Sequence, residues 1–167
     1  QALPLITSGA AHAYGLTTKQ LALSCASHQG AKIHTDRVSA WLSDLGLADD
    51  DFRCGAQRPN DPEAKIELIK SDASPCQMHN NCSGKHTGFL TLNSEYIEAD
   101  HPVQQACLEA FEMVTDGPSL GYGIDGCSAP NHATTVHGLA RAMAWFASAE
   151  DSSDLASIAA AQLTQAM

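Results

Sequence analysis

Residues 79–86 read HNNCSGKH, the densest run of chemically capable side chains in the sequence. A helix that starts near Asn81 would carry Cys82, Lys85, His86 and Phe89 at i, i+3, i+4 and i+7, on one stripe. A thiol, an amine and an imidazole would then meet the same neighbour. Gly84 and Gly88 leave a second stripe bare, at a cost of about 1 kcal/mol each against alanine, which suits a place where another backbone or a ligand comes close. A second constellation is GYGIDGC at 121–127. Its three glycines predict a backbone bent into conformations other residues avoid, aiming Asp125 and Cys127 at one point. The plainer reading, a tight turn around a buried cysteine, stays open.

Two thiolates with a nitrogen donor and a position left for water are a zinc set. Cys82 and Cys127 with Lys85, His79 or His86 would supply it. Lysine is an uncommon ligand, because its amine must first lose a proton, and that requires a nearby dication or strong desolvation. On the residue pattern alone the simpler reading is an N-capped helix with surface histidines. Nucleophilic hydrolysis by a hydroxyl one helical turn from an amine would show as Ser-x-x-Lys, and no serine of the 167 residues has lysine three positions on. Ser27 and His28 belong either to a site or to the end of a helix. The phosphate-cradling G-x-x-x-x-G-K-[ST] loop is absent from the sequence.

The elements that must position these groups are helical. Thr17 to Gln20 is a T-x-x-Q capping box that opens a helix with Leu21, Ala22, Cys25 and Ala26 on its apolar face and Gly30 as its stop. Val38, Trp41, Leu42 and Leu45 set a second helix over 32–45. A loop rich in Asp, Gly and Pro follows over 48–60. Asp61 and Pro62 open a short helix to about residue 70, with Ile66 and Ile69 expected inward. The Asp100-His101-Pro102 start repeats the device for a helix striped by Val103, Cys107, Ala110, Phe111 and Val114. Strand character is confined to 121–129; residues 134–149 return to helix, and 152–167 carry Leu155, Ile158 and Leu163 on a last one.

Composition bounds the rest. A formal net charge of −10 and the lack of a basic stripe argue against nucleic acid and anionic lipid as partners. No apolar run approaches bilayer length, so no membrane is expected. With 44% hydrophobic residues the chain has material for a core. The six cysteines are scattered without a C-x-x-C pair, which favours reduced thiols and a cytoplasmic location over a disulfide framework. The first residue is not methionine and the last helix has no cap, so the expectation is a single helix-rich partial domain over 1–167, truncated at both ends.

Four strings taken together resemble one family: HNNCSGKHTGFL at 79–90, DHPVQ at 100–104, GIDGC followed by AP at 123–130, and LSCASHQG at 23–30. They resemble the asparaginase II family, the rhizobial-type L-asparaginases, nearly end to end and in the family's order. The resemblance implies a predominantly α fragment of an α+β serine-β-lactamase/glutaminase-like fold, and hydrolysis of L-asparagine to L-aspartate and ammonia through a serine acyl-enzyme. It implies zinc held by Cys82, Lys85 and Cys127, a catalytic place for Ser27 as second active-site serine, and substrate-binding places for Asp125, His79 and Asn80. The family's Ser-x-x-Lys nucleophile would precede Gln1, so the fragment alone is expected to be inactive. Ser128 stands where the family usually has glycine. The expected partner is a small-molecule substrate, L-asparagine, with a homodimer left open. The other classes kept in view are a non-catalytic helical zinc-binding or structural module and a glutaminase-type amidohydrolase. Glutamine differs from asparagine by one methylene, a discrimination of about 1–3 kcal/mol in a pocket.

Overall fold

The computed structural model describes residues 1–149 and 154–167. Two short helices, α1 (Leu3–Thr7) and α2 (Ala10–Ala13), precede α3 (Thr18–Cys25) and α4 (Lys32–Asp44). Then come α5 (Pro62–Lys70), α6 (Ser83–Leu92) and α7 (Pro102–Thr115). Strands β1 (Tyr122–Ile124) and β2 (Pro130–His132) form an antiparallel pair in which Gly123 faces Asn131, and α8 (Val136–Ala147) and α9 (Leu155–Ala166) close the order. The architecture is α-dominant with one small sheet, as the helical punctuation predicts.

Helix α6 is the centre of the molecule. Ser83, Gly84 and every residue from His86 to Thr91 are buried, and a helix buried on all sides must be enclosed by others. It packs on α3, α4 and α1, with Leu5, Leu23, Val38, Trp41, Leu42 and Phe89 in the shared core. Its two threonines are satisfied within the helix itself: Thr87 donates to the Ser83 carbonyl at 2.8 Å and Thr91 to the Thr87 carbonyl at 2.9 Å. The bare stripe has the use expected of it at Gly84. A methyl group there would run into the Leu23 carbonyl oxygen and come within 2.6 Å of Leu23 Cγ, so glycine is what allows α3 and α6 to touch backbone to backbone. Gly88 is under less constraint, since its methyl would meet Ser24 Cβ at an ordinary 3.5 Å.

The capping box forms as read. The Gln20 amide donates to Thr17 Oγ1, and the Thr17 amide donates to Gln20 Oε1 at 2.8 Å. Helix α3 nevertheless ends at Cys25, well short of Gly30, because Ala26 turns to an extended conformation with ψ 145°. Gly30 serves elsewhere: at φ +72° it lies under Pro59, whose Cβ would be 2.8 Å from an added methyl. A second correction concerns α5. Asp61 caps it, accepting from the Ala64 amide at 2.8 Å, but Ile66 and Ile69 are 50% and 66% exposed rather than inward. Capping marks where a helix starts and says nothing about which face meets a neighbour.

Helix α7 keeps its stripe, with Val103, Cys107 and Val114 buried, and its cap is His101, whose Nδ1 accepts from the Val103 amide. In 121–129 the left-handed backbone falls on Gly121 and Ser128, at φ +121° and +71°, and not on Gly123 or Gly126. The partner strand β2 carries Pro130 and was not legible as a strand. The helix over 134–149 begins at Val136, with Thr135 Oγ1 accepting from the Gly138 amide. Of the final stretch, residues 152–153 lie outside the described residues; within α9, Leu163 is buried while Leu155 is 53% exposed. Among the described residues no helix is long and apolar enough to cross a membrane.

Candidate active site

The strings 23–30 and 79–86, far apart in sequence, are stitched to one another. The His28 amide donates to the Asn81 carbonyl at 3.0 Å, and Asn81 Nδ2 donates to Ser27 Oγ at 2.7 Å. Below this exposed contact lies a buried one. His28 Nδ1 accepts from the Gly30 amide, so the ring proton is on Nε2, which donates to Ser83 Oγ at 2.8 Å; Ser83 passes its own proton to the Met78 carbonyl. Direction matters here, because a histidine that donates to a serine is not its base. Burial first, then repulsion from His34 and His79 whenever they carry charge, holds His28 down at about 4. The pair is a clasp between two segments.

Asn80 and His79 extend the clasp. Asn80, 4% exposed, donates through Nδ2 to the Gly55 carbonyl and accepts through Oδ1 from the Cys82 amide, each at 2.9 Å. Both ends of its amide thus hold the loop that delivers Cys82 to the start of α6. His79 Nδ1 accepts from the Cys76 amide at 3.1 Å and lies 3.2 Å from Cys76 Sγ. The Cys76 thiol is pushed up by burial, so the pair has no thiolate character.

The decisive meeting is between α6 and the β1–β2 turn. Lys85 Nζ, on a side chain 13% exposed, lies 3.2 Å from Cys127 Sγ, across 42 positions of sequence. Asp125 Oδ2 is 3.9 Å from the same amine. The turn aims Cys127 through Asp125, whose Oδ1 accepts from the Cys127 amide at 2.8 Å while the Ser128 amide donates to the Asp125 carbonyl. Cys82 completes the group through its interaction with the Cys127 thiol. That interaction shifts the two in opposite directions: Cys82 is raised, first by Cys127 and then by burial. Cys127 is lowered, first by Cys82 and then, against burial, by His86, the Ala129 backbone and Lys85. The pair titrates as a unit with its negative charge at Cys127. Burial, followed by that charge, pushes nearby Cys54 up to about 12, so it lines the site as a neutral thiol.

The donor chemistry suits a thiophilic ion: one stabilised thiolate, a second thiol beside it and an amine within reach of both. Among the described residues no three His, Cys, Asp or Glu side chains are grouped as a metal site. A centre here would therefore need Lys85 as its third donor. Of the residues read from sequence, Cys82, Lys85, Cys127 and Asp125 come together; Ser27, His79 and Asn80 belong to the clasp that carries Cys82.

The model of the L-asparaginase II family matches residues 1–167, the whole chain. The chain belongs to the L-asparaginase II family. No curated protein matches it. Membership makes it part of an asparaginase-type amidohydrolase family acting on a small-molecule substrate. Three residues around the candidate site escaped the sequence reading: Cys54, Arg53 and Tyr96. Tyr96 is fully buried and joins Arg53 to His86. It carries no sequence signal, because a lone tyrosine in a polar stretch looks like surface.

Proposed function

We propose that the chain supplies the metal-binding and substrate-facing part of an L-asparagine amidohydrolase, which converts L-asparagine and water to L-aspartate and ammonia. The observation that carries this reading is the Lys85–Cys127 contact, 3.2 Å between motifs that helix packing alone gives no reason to join. In this reading Cys82, Lys85 and Cys127 hold zinc. When bound, zinc polarises a substrate oxygen or lowers the pKa of a water. Asp125 keeps Cys127 in place through its backbone amide and gives the Lys85 amine a carboxylate neighbour. Asn81 donates to Ser27 Oγ, which leaves the Ser27 proton to be offered to a substrate. His79 and Asn80 shape the substrate side by fixing the loop before Cys82.

No Ser-x-x-Lys occurs in residues 1–167, so the acylating serine belongs outside them. That serine adds to the side-chain amide carbon, the C–N bond breaks as ammonia leaves, and water cleaves the ester to aspartate. A serine-β-lactamase-like parent fold, with this chain as its helical part, belongs to the same proposal. The free cysteines suit a reducing compartment, and we place the protein in the cytoplasm.

Elemental analysis of the purified chain tests the metal reading. Stoichiometric zinc is expected in the wild type, with loss of zinc and intact helical circular dichroism in Cys82→Ala. A chain that takes up no zinc, or a variant that keeps it, sinks the reading. Rapid ammonia release from L-asparagine by the 167-residue chain alone would overturn the placement of the acylating serine.

A further inference from the structure

Behind the cysteine pair lies a chain of buried polar groups that the chemistry above does not use. The Arg53 amide donates to Tyr96 Oη at 2.9 Å, and Tyr96 Oη lies 2.6 Å from His86 Nδ1. Tyr96 and His86 are both fully buried. Phe89 packs around them, its ring centroid 5.7 Å from His86 and 5.4 Å from Tyr96, so neither ring is free to turn. The proton order follows from who can donate. A backbone amide only donates, so Tyr96 oxygen accepts from Arg53; among the described residues His86 Nδ1 is the hydroxyl's other partner and the acceptor open to the phenol proton. A neutral imidazole that accepts at Nδ1 carries its proton at Nε2.

His86 Nε2 is buried without a closed hydrogen bond. A buried N–H of this kind calls for an acceptor. Cys82 caps the start of α6 and its carbonyl accepts from the His86 amide at 3.0 Å, with Lys85 between them in the first turn, and Cys127 lies against Lys85 and interacts with Cys82. His86 is among the groups that act on the Cys127 thiol.

We propose that Tyr96 locks His86 as the Nε2–H tautomer and that His86 gives this proton to the Cys127 sulfur, which makes His86 the positioning residue for that sulfur. The relay runs from the loop at Arg53 through the core to the turn at Cys127, so the sulfur's place is set by two segments besides its own. Its use in the enzyme rests on Cys127 being a ligand, as read above; the proton order does not.

Nitrogen NMR of the histidine rings in the metal-free full chain tests the relay directly. His86 is expected to show a protonated Nε2 and an unprotonated Nδ1, and Cys127→Ala should move the Nε2 resonance. A protonated Nδ1, or an Nε2 indifferent to Cys127→Ala, overturns the proposal. Tyr96→Phe keeps the ring and removes the lock: both tautomers should appear, and zinc affinity, read by competition with a chromogenic chelator, should fall by about 10–100-fold. Unchanged affinity in Tyr96→Phe overturns the positioning role. A wild-type chain that binds no zinc would remove the metal reading instead, and the ring spectra would still decide the relay.

Discussion

The two halves of the site are built by opposite means. Helix α6 delivers Cys82, Lys85 and His86 from a rigid rod, enclosed on all sides and pressed against α3 at Gly84. The β1–β2 turn delivers Cys127 from an exposed hairpin in which Tyr122 and Ile124 are 56% and 64% exposed. On the helix, position follows from periodicity and close packing. In the hairpin it follows from a few hydrogen bonds, those of Asp125 above all. The helical half should therefore resist perturbation until its packing fails, whereas the hairpin half should be adjustable in small steps.

The harshest way to break the contrast is Gly84→Ala. Its methyl meets the Leu23 carbonyl, which cannot retreat without moving α3. We expect a loss of about 3 kcal/mol in urea unfolding, overpacking outweighing the gain in helix propensity of about 1 kcal/mol. A variant as stable as the wild type would mean that the helices are not in backbone contact.

Nearly as large is a pH effect in the clasp. His28 titrates at about 4 when folded and near 6.5 when unfolded, so between these values the unfolded chain binds more protons. Stability is then fully present above pH 6.5 and falls as the pH drops toward 4, by up to about 3 kcal/mol. Unfolding curves across this window should lose most of that slope in His28→Gln. The same slope in the variant would assign the effect to another group.

Smaller changes are expected in the hairpin. Asp125→Ala removes the acceptor for the Cys127 amide and the carboxylate beside Lys85. It should cost about 1.5 kcal/mol, while Asp125→Asn keeps the turn and loses only the charge. A comparison of zinc uptake by the two variants would separate aim from electrostatics. The mildest is Ser128→Gly. Ser128 sits at φ +71°, where a side chain is strained, and glycine should raise stability by at most about 1 kcal/mol. A destabilised Ser128→Gly would show that the serine side chain contributes something the turn geometry does not reveal.

Legibility followed the same division. The caps at Thr17 and Asp61 and the stripe of α7 rest on spacing, and spacing survives in a linear string. What failed were statements about surroundings. Ile66 and Ile69 have helical spacing but no neighbour, and α3 ends at Cys25 because the His28–Ser83 and Asn81–Ser27 bonds draw the following residues into an extended path. Glycine count also misled: of the three glycines in 121–127 only Gly121 is left-handed, and the other left-handed position of the turn, 128, holds serine. Turn conformation depends on what the turn must reach.

By itself the sequence determined the helices from α3 onward, the family strings and which side chains had the chemistry to act together. Only the tertiary structure decided that Cys127 meets Lys85, that Tyr96 stands behind His86, and that His28 donates to Ser83 rather than serving as its base. The reason is range. Periodicity and capping act over one or two helical turns, while a hydrogen bond's partner and direction depend on groups that burial brings together from distant parts of the chain.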